Sequence, residues 1–426
     1  MIIQKEHGKV VTPGMSPREK FKMVAKTMVS LEEVLADELT ALGAENVVPL
    51  TRAVEFEGDM RLLYRVNYCC RTALAILKPF AEFEANNEQE LYDQVYKIRW
   101  EKILDCDGTF MIDSTTSGEI FTHSYYAALK TKDAIVDRFR RNFGKRPSID
   151  TEQPQYKFNL HIRDNRVTLL MNASGDSLHK RGYRQGVGVA PINEVLAAGL
   201  LKIAGWDKAI AQSHDNAINF YDPMCGSGTM LIEAAMMANN IPAQYYRSGG
   251  FGFMRWKEFN LGEWKSVKNE EDRKIGSIDF EGEIWGNDID EQVIMQCERN
   301  LQHTKLHHDV MLHIGDFADQ EPPEGKTLIV TNPPYGERIK VEDLNALYER
   351  LGDTFKKFGS RKSEAGTTSD LELWLVTSDF EAMKHIGLHP SKKIPVQNGS
   401  LDCRFLKFEL YDGSKKAAKN ADHSLD

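Results

Sequence analysis

The feature that most constrains the fold is a regular alternation of short apolar runs and helical patterns after about Pro191. Such alternation is typical of a parallel sheet that is covered by helices on both faces. The last two runs are separated only by residues 398–400, a spacing typical of a hairpin, so we predict that an antiparallel edge closes the sheet. The runs are INFYD (218–222), EIWGND (283–288), VMLHI (310–314), TLIVTN (327–332), ELWLVT (372–377), KKIPVQ (392–397) and LDCRFLKFELY (401–411).

The first half of the chain has an α+β pattern instead. We predict a strand at 21–29, then a helix whose apolar residues are spaced three and four apart and which Gly43 closes. Residues 109–115 are predicted as a strand, and residues 157–174 as a hairpin that turns at Asp164 and Asn165. The segment from Tyr125 to Phe143 has the pattern of a basic helix.

The charge of the chain is unevenly distributed. The formal net charge is −9, yet the first 190 residues carry +1 and the acidity lies in the rest. Within the first half, residues 130–146 carry a net charge of +5. A positive stretch of this kind predicts a phosphate-binding surface, in spite of the acidic total.

Several classes of protein are excluded by composition. The chain has 426 residues, a length that indicates two or three domains. Its six cysteines show no CxxC spacing, so we expect neither a disulfide framework nor a zinc site. His303 and His307 are four residues apart, but no carboxylate completes a site, and we predict no metal. Without a long apolar run or a signal peptide pattern, we expect a cytoplasmic protein with no membrane partner.

A glycine-rich turn follows the first run of the second half and precedes a helical pattern. The segment runs from Asp222 to Thr229, and its glycines allow a ligand to approach the backbone at the carboxyl end of a strand. It lacks the lysine of a phosphate-binding loop and the third glycine of a dinucleotide fingerprint, so it does not indicate a phosphate ligand. A purely structural turn is an equal alternative for this segment alone.

Carboxylates follow the next two strands. Asp288 ends one strand and Asp316 follows the other, where they could accept hydrogen bonds from ribose hydroxyls and an adenine amine. The alternative role is a helix N-cap, and this is the favoured role of Asp290.

A fourth strand end carries Asn332, Pro333, Pro334 and Tyr335. Two prolines fix the backbone and leave its carbonyls without competing N–H donors. The Asn332 side-chain oxygen and the Pro333 carbonyl could accept hydrogen bonds from a planar exocyclic amine, while the Tyr335 ring stacks on the attached base.

These motifs resemble those of a known family. DPMCGSGT, GNDID, GDF and NPPYGER are similar in order to the motifs of class I S-adenosylmethionine-dependent methyltransferases, and the NPPY form resembles enzymes that methylate exocyclic amines of bases. LHKRGYR (178–184) and APINEVLAAGLL (190–201) resemble the junction between a THUMP RNA-binding domain and the methyltransferase. FGFMRWKEFNLGEW (251–264) resembles an insert in bacterial large-subunit (23S) ribosomal RNA guanine-N2 methyltransferases, although Trp256 and Trp264 could equally stack on RNA or pack in a core.

The resemblance implies a fold and a domain order. We expect a Rossmann-like α/β domain with a seven-stranded sheet and an antiparallel C-terminal hairpin, preceded by an α+β region that is ferredoxin-like and THUMP-like. The expected boundaries are flexible ends at 1–20 and 412–426, a small α+β subdomain at 21–75, a THUMP-like RNA-binding domain at 76–175 and the methyltransferase domain at 176–411.

The resemblance also implies roles for single residues. Asn332, Pro333, Pro334 and Tyr335 would form the catalytic site and hold the target base. The expected S-adenosylmethionine-binding residues are Glu194, Asp222, Pro223, Cys225, Gly226, Gly228, Asp288, Ile289 and Asp316. The candidates for contact with RNA phosphates are Lys130, Lys132, Arg138, Arg140, Arg141, Arg181 and Arg184.

The predicted function is N2-methylation of a guanine in large-subunit ribosomal RNA by in-line displacement. Two alternatives stay open at this point. One is a related enzyme that acts on a guanine of transfer RNA or on DNA adenine at N6; the THUMP-like region favours RNA. The other is a non-catalytic RNA-binding or ribosome assembly protein that kept the fold.

Overall fold

Two β-sheets organise the computed structural model, which describes residues 19–185, 191–335, 343–360 and 371–410. The ends that we expect to be flexible fall outside the described residues, apart from Glu19 and Lys20. The first sheet has eight strands and the second has seven.

The first sheet contains all strands of the N-terminal half, in the order β2-β3-β1-β4-β8-β7-β5-β6. The strands are β1 (Phe21–Lys26), β2 (Glu45–Leu50), β3 (Ala53–Gly58), β4 (Ala75–Glu84), β5 (Thr109–Ser117), β6 (Ser148–Ile149), β7 (Tyr156–Arg163) and β8 (Arg166–Asn172). The helices of this half are α1 (Glu32–Ala41), α2 (Met60–Cys69), α3 (Glu88–Lys97) and α4 (Ser124–Phe143). The strand, hairpin and basic-helix predictions for this half are confirmed.

Strand β4 joins the two parts of this sheet. It pairs with β1 on one side, where Ala75 lies opposite Lys26, and with β8 on the other, where Leu77 lies opposite Asn172. The sheet is therefore continuous across residue 75. The two α+β parts share one ladder of backbone hydrogen bonds, which fixes their relative placement.

The second sheet has the strand order β11-β10-β9-β12-β13-β15-β14. Its strands are β9 (Asn219–Asp222), β10 (Ile284–Asp288), β11 (Met311–Ile314), β12 (Thr327–Thr331), β13 (Leu371–Thr377), β14 (Pro390–Asn398) and β15 (Leu401–Glu409). The helices of this half are α5 (Glu194–Ile203), α6 (Trp206–Ala211), α7 (Thr229–Ala238), α8 (Leu261–Asp272), α9 (Glu291–Thr304) and α10 (Leu344–Gly359). The first five strands are parallel, and the predicted antiparallel hairpin β14–β15 forms the edge.

Alternate residues of the central strands enter different hydrophobic cores. Phe220 and Leu328 pack with buried residues of α5, α7 and α9. Their neighbours Tyr221 and Ile329 pack instead with buried residues of α10. Because side chains alternate across a strand, these two cores lie on opposite faces of the sheet. The prediction of a parallel sheet covered on both faces is confirmed.

The segment 251–264 packs against the N-terminal half. Trp256 and Trp264 are buried in the same core as residues of β1, β3, β4, β5, β7 and β8, and the Trp264 ring meets the Tyr64 and Tyr68 rings edge to face. The two tryptophans are thus core residues, and the alternative that they stack on RNA does not hold. Ion pairs between α2 and α8, among them Arg65 with Glu271 at 2.9 Å, flank this core.

A buried charged cluster connects the two halves of the chain. The Arg181 guanidinium is fully buried and donates to the Glu233 carboxylate at 3.2 Å and to the Leu178 and Arg71 carbonyls. The hydroxyl of Tyr183 donates to the same Glu233 oxygen at 3.2 Å. The prediction that Arg181 contacts RNA phosphates is therefore wrong, because its charge is used inside the protein.

In the described part of the chain, no helix is both long and apolar enough to cross a membrane.

Candidate active site

The motif residues lie together because the strands that carry them are parallel and in register. Asp222 at the end of β9 is opposite Gly286 of β10, and Asp288 at the end of β10 is opposite Ile314 of β11. The carboxyl ends of β9 to β12 thus meet at one edge of the sheet. This is the edge at which open α/β sheets bind ligands.

The glycine-rich turn leads from β9 into α7, which is entirely buried. Gly226 and Gly228 have φ angles of +56° and +83°, in the region that favours glycine. A side chain at Gly228 would meet the Cys297 sulfur, whereas the space beside the Gly226 Cα is open. The turn therefore presents bare backbone towards the strand ends, with room for a ligand next to Gly226.

Hydrogen bonds at Cys225 and Pro223 attach the turn to the neighbouring strand β10. The Cys225 amide donates to the Asn287 carbonyl at 2.8 Å, and the Asn287 side chain donates to the Pro223 carbonyl at 3.2 Å. A hydrogen bond with Cys297, together with burial, raises the pKa of the Cys225 thiol well above its ordinary value. A thiol held in this neutral form is a poor nucleophile, so Cys225 acts as a packing residue of the core.

Asp222 is a buried carboxyl whose pKa lies well above its ordinary value. Burial raises its pKa to about 7, although the Met224 amide, which donates to the Asp222 Oδ1 at 3.2 Å, stabilises the ionised form. Nearby Asp288 opposes ionisation further. The carboxyl is therefore ready to ionise when a cation enters the site.

Asp288 connects the turn to the next strand end. Its Oδ2 accepts from the Gly226 amide at 3.0 Å and its Oδ1 accepts from the Asp290 amide at 3.1 Å. Burial raises the pKa of this carboxyl. Ile289 beside it is 69% exposed, so an apolar side chain lies open next to the carboxylate. Asp290 accepts from the Gln292 amide at 2.8 Å and caps α9, as predicted.

Asp316 is held by a partner that the sequence analysis did not find. Its Oδ2 accepts from Arg350 of α10 at 2.7 Å, and its Oδ1 accepts from the Ala318 amide at 3.0 Å. Burial alone would raise the pKa of Asp316, but these hydrogen bonds lower it below its ordinary value. Asp316 and Arg350 are 34 residues apart in the chain, so the sequence does not indicate that they form a pair.

Asn332 carries an acceptor that the protein leaves unused. Its Oδ1 is buried and has no hydrogen-bond partner among the described residues. Pro333 next to it is also buried. A buried amide oxygen without a partner costs about 1–3 kcal/mol, and a ligand that donates to it recovers that cost.

Tyr335 is placed differently from the prediction. Its ring is buried in the core with α5 and α7, and its hydroxyl accepts from the Asn398 side chain at 2.9 Å. The structure does not place the ring where a base could stack on it, so that prediction is corrected. Asn398 lies in the β14–β15 hairpin, 63 residues from Tyr335, and the sequence analysis missed it.

Glu194 lies beside the glycine-rich turn. It is buried at the start of α5 and accepts from Arg184 at 2.5 Å. Arg184 also donates to the hydroxyl of Thr229, the last residue of the turn, at 3.1 Å. The guanidinium thus joins α5 to the turn, a use that reduces its availability for RNA phosphates.

These groups fit the cofactor that the resemblance implies. S-adenosylmethionine carries a cationic methionine end, ribose hydroxyls and an adenine ring. Asp222, Asp288 and the exposed Ile289 offer a carboxylate, hydrogen-bond acceptors and an apolar contact at consecutive strand ends. The open space beside Gly226 leaves the backbone accessible to such a ligand.

The basic residues of α4 and of the segment that follows it up to Arg146 lie on a second surface, which we call the α4 surface. Arg140, Arg141 and Arg146 are exposed, and Lys130, Lys132, Arg140 and Arg146 line a groove of about 410 Å³ beside α3. Arg138 is only partly exposed, and two of its nitrogens donate to Glu101 at 2.9 and 2.8 Å. Arg138 is therefore removed from the predicted RNA contacts.

Three family models match consecutive parts of the chain. The RMKL-like methyltransferase domain matches residues 181–407, the THUMP domain matches residues 85–172, and the RlmL ferredoxin-like domain matches residues 22–77.

Relatives align over most of the chain. The Synechocystis protein slr0064, which carries a provisional RNA methyltransferase name, is 38% identical over 92% of this chain and 97% of its own length. The ribosomal RNA large subunit methyltransferase K/L of Syntrophotalea carbinolica is 36% identical over 91% of this chain. The chain spans about half, 53%, of the length of that relative.

Solved structures share the fold. The crystal structure of SMU.472, a provisionally named methyltransferase complexed with SAH, superposes with a TM-score of 0.76 at 27% identity. It covers 93% of this chain, and the match includes 99% of its own chain. A possible methylase from Clostridium difficile superposes with a TM-score of 0.78, also at 27% identity.

Proposed function

The chain belongs to the RMKL-like methyltransferase family, and from this premise we propose that it methylates the exocyclic N2 of a guanine in large-subunit ribosomal RNA. The observation that carries the proposal is the buried, unpartnered Asn332 oxygen at the same sheet edge as the glycine-rich turn. An acceptor in that position suits an amine that donates hydrogen bonds. The THUMP domain and the names of the relatives support RNA as the substrate.

The cofactor is S-adenosylmethionine, which supplies a methyl group already activated by its sulfonium. Asp222 would face the cationic methionine end, together with the backbone of Gly226 and Gly228. Asp288 would accept from the ribose hydroxyls, and Ile289 would pack on the adenine ring. Asp316 would accept from the adenine amine while it stays paired with Arg350.

Asn332 and Pro333 would orient the exocyclic amine of the target guanine. The lone pair of a guanine amine is delocalised into the ring, so the amine is a weak nucleophile unless it is aligned. Hydrogen bonds from the amine to the Asn332 Oδ1 and the Pro333 carbonyl would direct that lone pair towards the methyl carbon. Alignment of this kind contributes up to roughly 7–11 kcal/mol in well-ordered intramolecular cases. The amine proton becomes acidic once the methyl group is transferred, so no strong base is needed.

The buried Asn332 oxygen sets a condition on the substrate. A guanine within a duplex cannot reach a buried strand end, so the target nucleotide must be flipped out or lie in a single-stranded region. The exposed basic residues of α4 would then contribute affinity through phosphates, without reading the sequence.

Binding of the cofactor is expected to depend on pH through Asp222. Below its pKa of about 7 the carboxyl is neutral and offers no charge to the cationic methionine end. The affinity for S-adenosylmethionine should therefore rise about tenfold from pH 6 to pH 8. Calorimetric titrations of wild type and Asp222→Asn check this, because the variant should bind more weakly and show a flat profile. An unchanged pH profile in the variant would exclude Asp222 as the titrating group.

The α4 surface is expected to control the salt dependence of RNA binding. Replacing Arg140 and Arg146 by alanine should reduce the slope of log affinity against log salt by about two, because each contact releases about one counterion. Fluorescence anisotropy at several salt concentrations measures the slope. Lys326→Ala is the matched control, since Lys326 is exposed immediately before β12, away from the strand ends that form the site. If the slope equals that of the control, the α4 surface does not contact RNA.

The substrate class is tested with labelled cofactor. The full chain is incubated with methyl-labelled S-adenosylmethionine and separate pools of unmodified ribosomal RNA, transfer RNA and DNA. We expect label in the large-subunit ribosomal RNA. Label in transfer RNA or DNA instead would show that this nucleic acid, and not ribosomal RNA, is the substrate. Cofactor binding without label in any pool or in ribosomal precursor particles would support the non-catalytic alternative.

A further inference from the structure

We propose that a cavity beside the methyl-transfer site binds the nucleotide that adjoins the target guanine in a single RNA strand. The cavity has a volume of about 490 Å³, and we name it the junction cavity after the segment 179–184 that forms one wall. Its lining includes His179, Lys180, Arg184, Glu194, Asn398 and Gly399. The inference rests on the proposed function, since it assumes that RNA is the substrate.

The walls of the junction cavity are attached to both halves of the candidate site. Arg184 donates to Thr229, the last residue of the glycine-rich turn, at 3.1 Å. Asn398 donates to the Tyr335 hydroxyl at 2.9 Å, and both of these residues are buried. A molecule in the cavity therefore lies between the element that would hold the cofactor and the element that would hold the target base.

The size of the cavity selects one unpaired nucleotide. Its volume is in the range of about 300–1,000 Å³ in which proteins bind small ligands. One nucleotide fits such a space, whereas a base pair within a helix does not. Because the target base must leave its stack to reach Asn332, the nucleotide next to it on the strand is also unstacked and free to enter a second pocket.

The chemistry of the lining matches a nucleotide. The Lys180 side chain is 62% exposed, and its ion pair with Asp176 is long, at 3.7 Å, and open to solvent, so the ammonium can exchange this partner for a phosphate. The Asn193 oxygen caps α5, which leaves the Asn193 side-chain nitrogen to donate to a base edge or a ribose hydroxyl. Burial lowers the pKa of His179, which favours a neutral imidazole with a flat face for a base.

The test is binding of a labelled RNA heptamer with one central guanosine and uridines elsewhere, in saturating S-adenosylhomocysteine. Lys180→Glu should weaken heptamer binding at least about tenfold, since it replaces an attraction for phosphate by a repulsion. His179→Trp, which fills the cavity without adding charge, should weaken it similarly. Both variants should bind S-adenosylhomocysteine within about twofold of wild type, which shows that they are folded. Lys326→Glu is the control for a surface charge reversal elsewhere on the chain.

The possible outcomes distinguish failure of the cavity inference from failure of the proposed function. Heptamer binding within about twofold of wild type in both variants, or a loss no larger than in Lys326→Glu, would overturn the inference. If wild type methylates RNA and the cavity variants bind the heptamer normally, the proposed function stands and the cavity inference fails. If wild type transfers no methyl group but the variants still lose heptamer binding, the cavity stands as an RNA site and the proposed function fails.

Discussion

Asn332→Ala should lower kcat for methyl transfer by at least about a hundredfold and leave the Kd for S-adenosylhomocysteine within about twofold of wild type. The alanine removes a buried acceptor that has no partner among the described residues, and with it the orientation of the amine. Removal of a single preorganised group that acts on the reacting atoms costs about 10²–10³ in kcat in other enzymes. Steady-state kinetics with saturating RNA, combined with calorimetry of the cofactor product, separates the two effects.

Asn216→Ala is the matched control for this substitution. Asn216 is exposed just before β9, at the amino end of the strand, so its side chain is remote from the carboxyl ends that form the site. The control should keep both kcat and cofactor affinity. Full activity of Asn332→Ala would show that the amine is oriented by other groups and would remove the observation that carries the proposed function.

Glu233→Gln should lower the free energy of unfolding by about 3–5 kcal/mol. Glu233 is fully buried between Arg181, Tyr183 and Arg71, and its charge balances two buried guanidiniums. The glutamine keeps the shape but leaves that positive charge uncompensated, and the loss of one partner from a buried ion pair costs this much. Urea unfolding of the full chain, followed by fluorescence and circular dichroism, measures the change.

An exposed pair provides the comparison. Glu270 pairs with Arg61 at 2.6 Å, and both side chains are at least one-third exposed. Glu270→Gln should therefore change the free energy of unfolding by less than about 1 kcal/mol. If Glu233→Gln costs no more than Glu270→Gln, the buried cluster does not connect the two halves of the chain in the way we describe.

The sequence predicts those parts of the fold that depend on local patterns. Each predicted strand of the second sheet forms, because its apolar run is bounded by turns, and the register of parallel strands then brings Asp222, Asp288 and Asn332 to one edge. The sharing of β4 by both parts of the first sheet is not visible in the sequence. Nor is the place of β15 between β13 and β14, since pairing order is decided by tertiary packing.

The errors at the site have the same physical origin. The sequence predicts Arg181 and Arg138 to be surface cations, but carboxylates remote in the chain bind them. Glu233 binds Arg181 in the core, and Glu101 binds Arg138 in a partly exposed pair. Asn398 and Arg350 were missed because each acts on a motif residue far away in sequence. Motif spacing identifies residues that follow strands, whereas the partners that restrain them depend on the whole fold.

The central claim, transfer of a methyl group to guanine N2, is tested most directly by the identity of the modified nucleoside. Large-subunit ribosomal RNA labelled by the wild-type chain is digested to nucleosides, which are separated and identified by mass spectrometry. We predict that the label is found in N2-methylguanosine and is absent when Asn332→Ala is used. Label in N6-methyladenosine, or in a base methylated on carbon, would contradict the account.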